Sequence, residues 1–166
     1  MDRFLEKLNT LPQVTELVQR VEAGGCPAAV TGLQPVQRAC VGAAVAKATG
    51  RPAVFVCGDE REVQTLCADL ETLTGRAPVR LLGREWQFRP GAVASRDWER
   101  GRLAALYALA TGDAPVTVAT ADALLARTMP PALLKSLAVT LEPGKRMDLK
   151  ALTESLIQAV KIFQME

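Results

Sequence analysis

Histidine is absent from the 166 residues of this chain. Its absence excludes Ser-His and Cys-His nucleophile pairs, imidazole general bases and most zinc sites other than four-cysteine ones. The four cysteines are Cys26, Cys40, Cys57 and Cys67, and no two of them form a C-x-x-C pair. We therefore predict no metal site, no cofactor and four reduced thiols in the protein core, which fits a reducing, cytoplasmic compartment.

Aromatic residues are also scarce, at 4% of the chain, although 49% of its residues are apolar. The core must therefore consist mainly of alanine, valine and leucine, as is common where helices lie close on a parallel sheet. No apolar run approaches the roughly 20 residues that span a bilayer. Charged side chains at Asp2, Arg3, Glu6 and Lys7 are incompatible with the apolar segment of a signal peptide. We expect no membrane insertion.

The formal net charge is only +2, which does not favour strong binding to nucleic acid. Arginines are nevertheless concentrated over residues 76–102, with aromatic residues among them. The candidate interaction surface consists of Arg84, Trp86, Phe88, Arg89, Arg96, Trp98 and Arg100. Such a mixture occurs in nucleic-acid-binding surfaces and in protein interfaces. Because Glu85, Asp97 and Glu99 dilute the charge, we favour a solvated, salt-bridged surface and expect only weak nucleic-acid binding.

Strand and helix patterns alternate along the middle of the chain, after two amphipathic helices. Short apolar stretches predict four strands, over residues 27–31, 53–57, 79–82 and 116–120. Right-handed crossovers between them predict an α/β domain with a doubly wound parallel sheet and helices on both faces. We predict three regions: N-terminal helices over 1–24, the α/β domain over 25–136, and an appendage over 137–166.

The appendage is predicted as one strand, a Pro-Gly turn and an amphipathic helix capped by Asp148. One strand and one helix cannot form a core of their own. We interpret this region as an incomplete second subdomain. Its uncovered strand edge and helix face are expected to favour homodimerisation through residues 137–166.

The stretch VTGLQPVQRACVGAAVA, residues 30–46, has the apolar stretch, glycine and helix of a phosphate-binding loop. The loop pattern is G-x-x-x-x-G-K-[ST], in which N–H groups hold phosphate, lysine neutralises it and the hydroxyl binds Mg²⁺. We place the first glycine at Gly32. The other three diagnostic positions then fall on Gln37, Arg38 and Ala39. We interpret the loop as degenerate and without a ligand, with weak anion or ATP binding as the alternative.

The next predicted strand and the three residues after it, AVFVCGDE, resemble a metal-binding strand in which Asp59 and Glu60 would be the metal ligand and the base. The alternative is that Asp59 caps the following helix and Glu60 interacts with its dipole. We favour the cap, because Ala39 has already removed the partner ligand for a metal ion. We find no arrangement of carboxylates suited to acid–base work, and so predict no catalytic residue and no enzyme activity.

Five segments together resemble a known family. They are VTGLQPVQRA, RPAVFVCGDEREVQTLCADL, REWQFRPGAVASRDWERGRLAALYAL, VTVATADALLARTMPP and LAVTLEPGKRMDLKALTESLI. In this order they resemble the N-terminal region of the bacterial transcription-repair coupling factor (Mfd), which is itself similar to the first domains of the excision-repair protein UvrB. The likeness covers nearly all of residues 10–160. It implies a fold like UvrB domain 1a with a degenerate phosphate-binding loop.

The resemblance implies a non-catalytic interaction module. In the coupling factor this module recruits the damage sensor UvrA to a stalled RNA polymerase, and other domains of the full-length protein bind the polymerase and translocate along DNA. The family's second subdomain continues into strands that contact UvrA, whereas this chain stops at Glu166. We therefore expect a truncated module that does not bind UvrA by itself.

Overall fold

The computed structural model describes residues 2–83, 96–144, 146 and 148–163. The chain divides into two compact units, Met1–Ala126 and Arg127–Glu166. Two helices that precede residue 24 belong to the first unit, where both contact the helix that follows residue 34. The boundaries that we predict at residues 24 and 136 stay predictions.

The first unit contains an alternating series of helices and strands. In chain order these are α1 (Asp2–Leu8), α2 (Pro12–Glu22), α3 (Pro35–Thr49), β1 (Ala53–Cys57), α4 (Glu60–Thr74), β2 (Val79–Leu81), α5 (Arg96–Thr111), β3 (Val116–Thr120) and α6 (Ala121–Leu125). Local sequence explains most of the boundaries. Pro12 and Pro35 occupy the first turns of α2 and α3, where a missing N–H costs nothing. Gly75 ends α4 with a φ of 72°, a conformation that favours glycine.

The three strands form one parallel sheet in the order β1-β3-β2. Val118 of β3 packs in a core cluster with α3 and α4, whereas Ala119 packs with Ala105 of α5 and Ala123 of α6. Consecutive side chains of a strand point to opposite faces, so the two clusters lie on opposite faces of the sheet. The molecule is therefore a mixed α/β protein with a small parallel sheet, and both clusters are built largely from alanine, valine and leucine.

The prediction of a strand over residues 27–31 is wrong. No backbone hydrogen bond joins these residues to the sheet within the described ranges. A β-strand requires a neighbour with matching backbone groups, and here β1 is paired only with β3. The sheet thus has three strands instead of four in the part of the chain that is described, and β1 lies at its edge.

The second unit contains α7 (Pro131–Leu137) and α8 (Leu149–Phe163), which contact each other. The predicted strand after residue 137 is also wrong: residues 138–142 form no ladder with any described segment. Asp148 caps α8 as predicted, since its Oδ1 accepts the Lys150 N–H at 2.9 Å. Leu149, Leu156 and Ile157 of α8 are exposed. Self-association through residues 137–166 stays a prediction.

None of the described helices is long and apolar enough to cross a membrane.

Candidate functional site

At the start of α3, where the degenerate loop was predicted, the side chains of Gln34 and Gln37 cap the helix. The backbone N–H of Gln34 donates to Oε1 of Gln37 at 2.8 Å, and the Gln34 side chain accepts from the Gln37 N–H in return. Pro35 contributes no N–H at all. A phosphate bound here would need such donors to be free. The residue in place of the second glycine therefore occupies one donor, the Gln34 N–H, with its side chain, and its own N–H is taken by Gln34.

Arg38, in place of the lysine, points to the start of α4. Its Nη1 lies 3.6 Å from Oε1 of Glu62, and both side chains are largely exposed. The other oxygen of Glu62 accepts the Gly58 N–H at 2.9 Å. Arg38 thus faces a carboxylate that is part of the next helix start. Because the pair is solvated, its net contribution to stability is small.

Ala39, in place of the hydroxyl residue, is completely buried and belongs to the core cluster beneath α3. It offers no oxygen to a metal ion. The structure therefore brings Gln37 and Arg38 to one exposed turn, whereas Gly32 lies in the preceding turn with a φ of 79° and Ala39 points into the core. The four residues do not form a phosphate cradle with a metal ligand.

Asp59 and Glu60, the two predicted carboxylates at the start of α4, both have partners within the protein. Oδ1 of Asp59 accepts the Glu62 N–H at 2.8 Å, which confirms Asp59 as the cap. Glu60 forms an ion pair with Arg80 of β2. Among the described residues no three metal-ligating side chains come together. Asp59 therefore caps α4, and Glu60 forms a surface ion pair.

The candidate interaction surface is only partly within the described ranges. Arg84, Trp86, Phe88 and Arg89 lie outside them. Arg96, Trp98 and Arg100 lie in the first turns of α5. Of these, Arg96 is exposed, and Arg100 lies 3.7 Å from Asp97 in a fully solvated pair.

Trp98 is half-buried, and its indole Nε1 donates to the carbonyl of Gly83. This contact docks the ring on the segment after β2 instead of presenting it to solvent.

Sequence reasoning counted Arg102 in the arginine cluster over residues 76–102 but did not predict its burial: it is only 7% exposed. Its guanidinium donates to the carbonyl of Leu82 and, at 3.2 Å, to that of Ala123. Burial lowers the pKa of Arg102, and the carboxylate of Asp122 partly opposes that shift. Trp98, Arg102 and Ala105 are spaced four and three residues apart, so one helix face carries all three. That spacing is the signal that could have placed Arg102 on the buried side of α5.

All four cysteines are free thiols. Burial raises the pKa of Cys57, and nearby Glu62 raises it further. Burial likewise raises the pKa of Cys40 and of Cys67. The prediction of four core thiols is wrong for Cys26, which is exposed because residues 25–31 are not a buried strand.

Two apolar grooves flank the irregular segment 26–33. One, of about 640 Å³, lies between this segment, α1 and α2. The other, of about 520 Å³, lies between the same segment, α3 and β1. The segment is thus separated from the edge of the sheet by open space.

Comparison with known proteins identifies no relative: the chain matches no family model, no curated protein and no solved structure.

Proposed function

We propose that this chain is a non-catalytic, UvrB-like interaction module of a transcription-repair coupling factor. It would form part of the region that links a stalled RNA polymerase to nucleotide excision repair through UvrA. In this proposal the parallel sheet is the remainder of a doubly wound, phosphate-loop type of domain.

The start of α3 carries the proposal. The N–H groups of Gln34 and Gln37 are taken by each other's side chains, its cation faces Glu62, and its hydroxyl position is the buried Ala39. A loop of this type would keep its place in the fold while losing phosphate and metal binding. The surface around it would then serve contacts with other proteins.

Nucleotide titration tests the non-catalytic part of the proposal. We expect no saturable binding of ATP with Mg²⁺ at millimolar nucleotide, and no hydrolysis, by isothermal titration and phosphate release. The matched variant is Gln37→Gly, which removes the side chain that caps α3. Saturable binding with turnover by the unaltered chain would make it a nucleotide-hydrolysing enzyme and overturn the proposal.

A chimera tests the identity of the module. In a characterised coupling factor, the corresponding N-terminal segment is replaced by residues 1–166 of this chain. We expect the chimera to fold and to recruit UvrA to a stalled RNA polymerase. A folded, polymerase-binding chimera that fails to recruit UvrA would contradict the proposal, and a salt-dependent shift of duplex DNA by this chain alone would favour nucleic-acid binding instead.

A further inference from the structure

The outer edge of β1 presents unpaired backbone groups. The N–H of Ala53 donates to the Pro115 carbonyl at 2.9 Å, so the main-chain groups of Ala53 point at β3. Main-chain groups of successive residues point to opposite sides of a strand, so those of Val54 and Val56 point away from the sheet. Within the described ranges these groups have no hydrogen-bond partner. They are donors and acceptors in the pattern that another strand requires.

The groove of about 520 Å³ lies directly beside this edge. Four elements supply its apolar lining: Ala53, Val54 and Phe55 from β1, Val41, Gly42 and Val45 from α3, Leu17 and Val21 from α2, and Cys26, Ala28 and Val30 from the irregular segment. Residues 26–30 likewise make no backbone hydrogen bonds to any described residue. The groove therefore has unsatisfied main-chain groups along two of its sides and apolar side chains around it.

The charges in the lining of the groove are all positive. Arg38 and Arg51 line the groove, and its lining contains no lysine, aspartate or glutamate. Arg51 precedes the first residue of β1, whereas Arg38 pairs with Glu62 beyond its last residue. The Arg38–Glu62 pair is exposed, so a ligand carboxylate can replace Glu62 at little cost. A ligand with one acidic residue at each end matches this arrangement.

We propose that this groove binds an extended segment of another protein, which joins the sheet as a strand beside β1. The segment is about five residues long, to match β1, and has small or β-branched apolar side chains between two acidic ends. Main-chain hydrogen bonds to Val54 and Val56 supply affinity, and the two arginines select the charge pattern. The inference goes beyond the proposed function, because it rests on the sheet edge and not on any relationship to coupling factors.

A second copy of this chain does not fit the groove through its own β1. The outer edge of that strand is flanked by its own residues 26–33, which would occupy the same space as the groove wall. The opposite edge strand, β2, is a poorer docking site, because it has only three residues and carries the charged Arg80. An extended segment of another polypeptide has no flanking residues 26–33 of its own, and it can bind beside β1 instead of β2.

The test uses the full chain and the fluorescently labelled peptide Asp-Val-Thr-Val-Thr-Val-Asp. We expect saturable binding by fluorescence anisotropy. The matched control peptide has the same side chains but is N-methylated at alternate residues, and should bind about tenfold more weakly because its main-chain donors are blocked. A peptide with lysine at both ends should also bind several-fold more weakly.

Two variants of the protein test whether the peptide binds beside β1. Val54→Pro removes the N–H on the groove side and should weaken binding about tenfold, while Val54→Thr keeps the backbone and should bind as the unaltered chain does. Should the proline variant fail to fold by circular dichroism, Val30→Asp gives the second measurement. Val30 is half-exposed, so the fold tolerates the change, and the new carboxylate should repel the acidic-ended peptide.

Three results would overturn the proposal: no saturable binding of the peptide, equal binding of the N-methylated control, or equal binding by Val54→Pro. A concentration-dependent dimer that Val54→Pro abolishes would make a second copy the occupant and would overturn it as well. These outcomes are independent of UvrA recruitment by the chimera, so a failure here is distinguishable from a failure of the proposed function.

Discussion

Two apolar stretches of equal length take different structures in this molecule. PAAVT, residues 27–31, and AVFVC, residues 53–57, are each followed by a short turn and a helix of 15 residues. AVFVC is a strand that pairs with β3 along its whole length. PAAVT is irregular and exposed. The contrast shows that an apolar stretch becomes a strand only when the fold supplies a partner for its backbone.

The side chains of the two stretches explain which one obtained the partner. Phe55 packs over Gly42 of α3 and against the core cluster, and Cys57 is buried within that cluster, whereas Val54 and Val56 are exposed. PAAVT has no aromatic side chain and only one branched aliphatic residue, Val30, and Pro27 lacks an N–H. The stretch with the larger apolar side chains occupies the sheet, and the other remains at its side.

The largest expected difference between the two stretches is in core packing. Phe55→Ala should lower the free energy of unfolding by about 2–4 kcal/mol, because it leaves a void between α3 and the sheet. Val30→Ala should lower it by less than about 0.5 kcal/mol, because Val30 has little packing to lose. Urea unfolding followed by circular dichroism measures both. Equal losses would mean that residues 27–31 also pack as a strand in solution.

A second prediction addresses the close approach of α3 to β1. An added Cβ at Gly42 would collide with the ring of Phe55. Gly42→Ala should therefore cost about 1–3 kcal/mol, although alanine favours helices in general.

Combining Gly42→Ala with Phe55→Leu separates the collision from helix propensity. The double variant should be more stable than the sum of the two single effects, because leucine leaves room for the methyl group. Strict additivity in urea unfolding would contradict the contact.

Removal of the caps of α3 and α4, the helices that follow the two stretches, should lower stability by smaller amounts. Asp59→Ala removes the side-chain cap of α4 and should cost about 1 kcal/mol. Gln37→Ala opens the glutamine cap of α3, but the exposed donors that it frees can bind water, so a smaller loss is expected. Thermal unfolding of both variants is the measurement. A larger loss of stability for Gln37→Ala would mean that the cap of α3 contributes more than the cap of α4, contrary to this prediction.

The smallest expected effect is a pH dependence that distinguishes Cys57, the last residue of AVFVC, from Cys26, which directly precedes PAAVT. The pKa of Cys57 is raised by burial above its ordinary value of 9.0, so the folded state holds its proton more tightly than the unfolded state. Stability from this thiol is therefore fully present below pH 9.0 and is lost as the pH rises from that value through the higher pKa of the folded state.

Cys57→Ala should make stability less dependent on pH in alkaline buffer, and exposed Cys26 supplies the matched control. Cys26→Ala should leave the dependence unchanged. Urea unfolding at pH values on both sides of the ordinary thiol pKa checks this, and a slope that Cys57→Ala leaves intact would assign the effect to other groups.

Helix positions and the character of their caps were predictable because the signals are local. Asp59 before α4 and Asp148 before α8 occupy the predicted places, and the strands at Ala53–Cys57 and Val116–Thr120 are confirmed. The absence of the glycine, lysine and hydroxyl residues of a phosphate-binding loop at Gln37, Arg38 and Ala39 was recognisable from residue types alone. The pairing of Arg38 with Glu62 was not, because it joins two different helices.

The sequence by itself determined where the helices begin and end, the small-residue core, and the lack of a metal-binding hydroxyl at Ala39. These depend on residue type and on neighbours within one or two turns. Only the tertiary structure decided that residues 27–31 stay outside the sheet, that Arg102 is buried, and that β1 has an open edge. Each of these depends on hydrogen-bond partners that are distant in the chain, and local sequence patterns carry no information about which distant partner is present.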